Sequence, residues 1–118
     1  MARIIIIDDA KFMRVTLTSI LKKEHDIVGE GENGLEAVQL YEQLQPDLVT
    51  MDITMPEMNG LDAVKEIKKK YPDAKIIMCS AMGQQKMVLE AIEMGAKDFI
   101  VKPFDEVRVL EAVNRVLS

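Results

Sequence analysis

The chain has 118 residues, 48% of them apolar, and a formal net charge of −5, which suits one hydrophobic core and leaves no room for a second domain. Its acidic balance argues against nucleic acid, because nonspecific affinity depends on Lys and Arg displacing counterions from phosphates. The apolar runs are too short to span a membrane and no charged-then-apolar leader follows Met1, so a soluble cytoplasmic protein is expected; the single cysteine, Cys79, excludes an internal disulfide and reads as a small buried apolar residue.

In chain order, a branched apolar run at 4–7 predicts a first strand, followed at once by Asp8 and Asp9. Met13, Leu17, Ile20 and Leu21 then form a helical stripe that ends at Lys22 and Lys23, and His25 falls in a turn as an expected surface residue. The second run, at 27–28, is short and flanked by glycine, which suits an edge strand. Asn33 caps a helix striped by Ala37, Val38, Tyr41 and Leu44, and Pro46 turns the chain into a third strand at 48–51, with Asp52 after it. Asn59 repeats the same start, since Asn33-Gly34-Leu35-Glu36-Ala37-Val38 and Asn59-Gly60-Leu61-Asp62-Ala63-Val64 each place an Asn cap before an acidic first turn. That third helix carries Leu61, Val64 and Ile67 and ends in Lys68, Lys69 and Lys70, read as a solvated helix end. A fourth strand at 76–79 leads to Ser80, and Val88, Ala91 and Ile92 mark a helix closed by Gly95. The fifth strand, 99–101, leads to Lys102 and Pro103. Asp105 caps a last helix bearing Leu110, Val113 and Leu117.

Strand and helix alternate five times, so the expected fold is α/β, a flavodoxin-like (βα)5 doubly wound parallel sheet, forming one domain over 1–118. By analogy with known five-stranded sheets the order is 2-1-3-4-5, which sets strands one and three side by side at the point where the order reverses.

The carboxyl ends of the strands carry the informative residues, because ligands of open parallel sheets bind there. Asp8, Asp9 and Asp52 would converge, and each close pair of like charges costs about 4 kcal/mol at ~4 Å with an effective dielectric near ~20. A cation is therefore required, and a few carboxylates with room for water and a phosphate oxygen suit Mg²⁺ better than Ca²⁺. Lys102 completes the balance and lets the site admit an anion. An aspartate beside a divalent ion, a lysine and the Ser80 hydroxyl is a plausible phosphoryl acceptor, with catalysis by positioning and charge stabilisation.

Four spaced motifs, Ile7-Asp8-Asp9, 51–60 (Met51-Asp52-Ile53-Thr54-Met55-Pro56-Glu57-Met58-Asn59-Gly60), Cys79-Ser80-Ala81-Met82 and Phe99-Ile100-Val101-Lys102-Pro103-Phe104, resemble the receiver domains of bacterial and archaeal response regulators. Within them the chain is most similar to the free-standing chemotaxis regulators. The resemblance runs from Arg3 to about Leu117. It implies that a histidine kinase, CheA in chemotaxis, phosphorylates Asp52, and that Asp9, Asp52 and the Thr54 carbonyl ligate Mg²⁺ with Asp8 acting largely through water. Ser80 and Lys102 would hold the phosphoryl oxygens, and the Lys102-Pro103 bond would be cis. It further implies a two-component signalling protein that catalyses only its own phosphorylation and dephosphorylation. Its expected partners are the kinase, a flagellar motor switch protein and a dedicated phosphatase, with the chain itself a monomer.

Family switching couples Ser80 to an aromatic residue at position 99. Here that residue is Phe99, which lacks the hydroxyl of the more usual tyrosine, and an ordinary buried strand residue is its competing reading. Met78, Met82, Met87 and Met94 surround the fourth strand and helix, where either partner binding or core filling would use them. A stand-alone receiver in another phosphorelay, such as sporulation, fits the same chemistry. A haloacid dehalogenase-like phosphatase needs a second Asp where Thr54 stands, and a flavin binder needs a hydroxyl- and glycine-rich loop where Asp8 and Asp9 stand.

Overall fold

The computed structural model describes residues 1–118. Five strands alternate with five helices: β1 (Arg3–Ile7), α1 (Lys11–Leu21), β2 (Asp26–Gly31), α2 (Gly34–Leu44), β3 (Leu48–Asp52), α3 (Gly60–Lys70), β4 (Ile76–Ser80), α4 (Gln85–Glu93), β5 (Asp98–Val101) and α5 (Glu106–Leu117). The sheet runs β2-β1-β3-β4-β5 with every pairing parallel, as expected. The three central strands, β1, β3 and β4, read as near-continuous apolar runs because both their faces are covered. Ile5, Ile7, Val49, Met51 and Met78 pack with α2, α3 and α4, whereas Ile4, Ile6, Leu48, Ile77 and Cys79 pack with α1 and α5.

β2 extends well beyond the two apolar residues that announce it. Backbone pairing carries it to Gly31, across a register shift between Ile4 and Ile5. Its glycines lie under side chains: a Cβ at Gly31 would crowd Ile7 and Leu40, and one at Gly29 would press on Leu44. An edge strand of this kind is held by the ladder and by small residues, so its apolar residues mark only its first half.

Helix starts follow the cap residues. Asn33 Oδ1 accepts from the Glu36 N–H, Asn59 Oδ1 from the Asp62 N–H and Asp105 Oδ2 from the Arg108 N–H. The repeated Asn-Gly pair also has a packing purpose. A Cβ at Gly34 would overlap the Met58 carbonyl, and one at Gly60 would overlap the Asp52 carbonyl, while the Gly60 N–H donates to Ile53 O at 2.7 Å. Both glycines let a helix start press against the backbone that follows β3.

Two expectations are corrected. His25 is only 9% exposed, and its Nδ1 accepts the Ala2 N–H at 3.1 Å, so it satisfies the start of β1 rather than facing solvent. Lys68 is not a solvated helix end either. Its ammonium donates to the carbonyls of Pro72 and Ala74 and ties down the turn into β4. No helix is long and apolar enough to cross a membrane.

Candidate functional site

β1 and β3 are neighbours where the strand order reverses, so their carboxyl ends deliver Asp8 and Asp52 to one place. One carboxylate oxygen each from Asp8, Asp9 and Asp52 lies within 4.8 Å of the others. Asp8 and Asp52 are buried, while Asp9 is exposed. Lys102 reaches in from beyond β5, its Nζ 2.8 Å from Asp8 Oδ2 and 3.2 Å from Asp52 Oδ1. It follows Val101 directly, its backbone N–H donates to Ser80 O at 2.8 Å, and the Lys102-Pro103 peptide is cis. Ser80 is the last residue of β4 and is buried. The structure thus gathers Asp8, Asp9, Asp52, Ser80 and Lys102 at one edge of the sheet.

The electrostatics are those of a site short of positive charge. Burial and then the Asp8 carboxylate push the Asp52 carboxyl up to about 6, against the opposing pull of Lys102. For Lys102, burial works against the charge but is outweighed by its contacts with Asp8 and Asp52, and its ammonium stays charged to higher pH than usual. One lysine against three carboxylates leaves a deficit.

The donor set fits a hard dication. Asp8 Oδ1 accepts the Ala10 N–H at 2.9 Å, whereas the buried Asp8 Oδ2 has only the Lys102 ammonium, 2.8 Å away, beside it. A buried carboxylate oxygen with lone pairs to spare, beside two further carboxylates, matches the few-carboxylate, water-retaining coordination of Mg²⁺.

Sequence reasoning missed two residues that frame this site. Arg14 Nη1 donates to Asp8 O at 2.7 Å and its Nε to Glu30 Oε1 at 3.1 Å, so one mostly buried guanidinium holds the turn that carries Asp8 against β2. Gln84 spans two loops, accepting the Ala81 N–H on Oε1 at 2.7 Å and donating from Nε2 to Thr54 Oγ1 at 2.9 Å. An isolated Arg or Gln in a helical or loop segment carries no sequence signal for either role.

Phe99 is not an ordinary buried strand residue. It is 37% exposed on β5, with the Arg108 guanidinium 5.9 Å from its ring centroid and Arg108 Nη2 donating to its carbonyl at 2.7 Å. Between Phe99 and Ser80 lies an apolar groove of about 370 Å³, lined also by Met82, Val88, Leu89 and Val101. The methionines divide: Met78 is core, Met87 packs against the core, and Met82 and Met94 are exposed, Met82 at 84%.

The profile of the response regulator receiver domain matches residues 4–114. The chain belongs to that family. Chemotaxis protein CheY of Thermotoga maritima is 64% identical over 97% of this chain and 96% of its own length. Its counterpart in Bacillus subtilis is 61% identical over 98% of each. Among solved structures, a CheX–CheY–BeF3–Mg²⁺ complex from Borrelia burgdorferi superposes with a TM-score of 0.93 at 38% identity, covering 98% of this chain and 89% of that one.

Proposed function

We propose that the chain is a chemotaxis response regulator that takes a phosphoryl group from a histidine kinase onto Asp52 and passes the signal on by protein contact. The observation that carries this reading is the Asp8, Asp9 and Asp52 cluster bridged by Lys102 at the switch point of the sheet. Identity of 58–64% to several CheY proteins over nearly the whole chain supports the chemotaxis assignment.

A carboxylate oxygen of Asp52 attacks the phosphorus of the phosphohistidine, the nitrogen–phosphorus bond breaks, and its electron pair returns to the imidazole. Asp9, Asp52 and the Thr54 carbonyl, with Asp8 acting largely through water, would hold Mg²⁺, which would neutralise charge on the transferring oxygens. Lys102 holds one phosphoryl oxygen and the Ser80 hydroxyl donates to another. Drawing Ser80 toward the phosphoryl group opens the groove beneath Phe99, and the ring leaves Arg108 to fill it. This changes the face made by β5, α4 and α5, where the motor switch protein docks, and a dedicated phosphatase ends the signal. The chain acts as a monomer in the cytoplasm and turns over no outside substrate.

The test is phosphotransfer from radiolabelled chemotaxis kinase. Label should move to the chain in the presence of Mg²⁺, and the labelled form should bind a motor switch fragment more tightly than the unlabelled one. Transfer only from a kinase of another relay would reassign the pathway.

A further inference from the structure

Gln84 occupies the cap position of α4, yet its side chain caps nothing on that helix. Its carboxamide is used at both ends elsewhere, on the Ala81 N–H just after β4 and on the Thr54 hydroxyl two residues after Asp52. Because β3 and β4 are adjacent and Asp52 pairs with Cys79, the amide ties together the loops that leave the two strands, at Thr54 two residues after Asp52 and at Ala81 directly after Ser80. Gly83, at φ +88° with open space around it, turns the loop so that Gln84 reaches back. Apart from this amide, the loops on that side show exposed Thr54, Ala81 and Met82.

We propose that Gln84 is a positioning residue that sets the lifetime of the phosphoryl group on Asp52 by bracing the loops after β3 and β4 across the mouth of the site. The inference rests on Asp52 being the acceptor. In hydrolysis, a water oxygen bonds to phosphorus opposite the Asp52 oxygen, and the bond from phosphorus to that oxygen breaks with its electron pair staying on the carboxylate. The proton of the water passes to solvent, and inorganic phosphate leaves. Such a water must enter in line, from outside the carboxyl edge of the sheet. A carboxamide fixed at both ends narrows that approach, and its loss lets the two loops part.

The chain is loaded with a small acyl phosphate and Mg²⁺, freed of donor, and followed by intact mass as the phosphoryl group is lost. Gln84→Ala and Thr54→Val should each shorten the lifetime about three- to tenfold, as expected for a hydrogen bond lost from a positioned pair. The double variant should lose phosphate no faster than the quicker single variant, because both substitutions cut the same brace. Gln84→Asn, one methylene too short to span the gap, should behave like Gln84→Ala. An unchanged lifetime in Gln84→Ala, or two effects that multiply in the double variant, would overturn the inference while leaving Asp52 as acceptor. A wild-type chain that never gains the phosphoryl mass would instead overturn the acceptor assignment, and this inference with it.

Discussion

Lys102 stands 3.2 Å from Asp52 Oδ1 although a whole strand, β4, separates the strands that carry them. The lysine spans that distance because its stem bridges the strand while its ammonium finds two carboxylates at the end. Replacing it with a side chain of similar volume, as in Lys102→Met, leaves Asp8 and Asp52 facing each other without a fixed cation. Phosphoryl uptake from a small acyl phosphate should slow by about tenfold or more, the scale of one lost charge-stabilising donor. Circular dichroism should be unchanged, since Lys102 lies outside both core clusters.

The raised carboxyl of Asp52 has a consequence for stability. Because the folded-state value, about 6, exceeds the ordinary 3.8, the folded chain keeps a proton over a range in which the unfolded chain has released it. The contribution of this group is complete below the ordinary value and is lost as pH rises toward 6. Near neutral pH and without divalent cations, Asp52→Asn should therefore stabilise the chain by on the order of 1–3 kcal/mol in urea denaturation. The difference should shrink as pH falls through that window. Added Mg²⁺ should raise the stability of the wild-type chain more than that of the variant.

Gly60→Ala should damage fold and site together. The added methyl overlaps the Asp52 carbonyl, so α3 must retreat or the end of β3 must shift. A loss of about 1–3 kcal/mol is expected, as for other overpacked positions. Phosphoryl uptake should be slower even at temperatures where the variant is fully folded.

His25→Ala separates stability from chemistry. It leaves the Ala2 N–H without its acceptor at the opposite end of the sheet from Asp52, and should cost about 1–3 kcal/mol. Phosphoryl uptake of the folded variant should match that of the wild-type chain.

Local rules made the architecture readable. Most of the strands are continuous apolar runs, Asn33, Asn59 and Asp105 cap as their positions imply, and the acids at the ends of β1 and β3 converge because the strand order, expected by analogy, sets those two strands side by side. Long-range contacts were not readable. Gly60 looks like a helix-start residue until the Asp52 carbonyl is seen against it, and His25 looks like a turn residue until the Ala2 N–H needs an acceptor. Arg14 and Gln84 act through contacts 16 and 30 residues away in the chain, which no periodicity reports. Phe99 shows the limit from the other side, because alternation along β5 could not tell an inward ring from an outward one.

The most direct measurement is intact mass after incubation with a small acyl phosphate, with Mg²⁺ or with a chelator, for the wild-type chain and Asp52→Asn. One phosphoryl group should add to the wild-type chain with Mg²⁺ present, and none to the variant or to the chelated sample. Equal modification of the two chains, or none of either, would contradict the assignment of Asp52 as the acceptor.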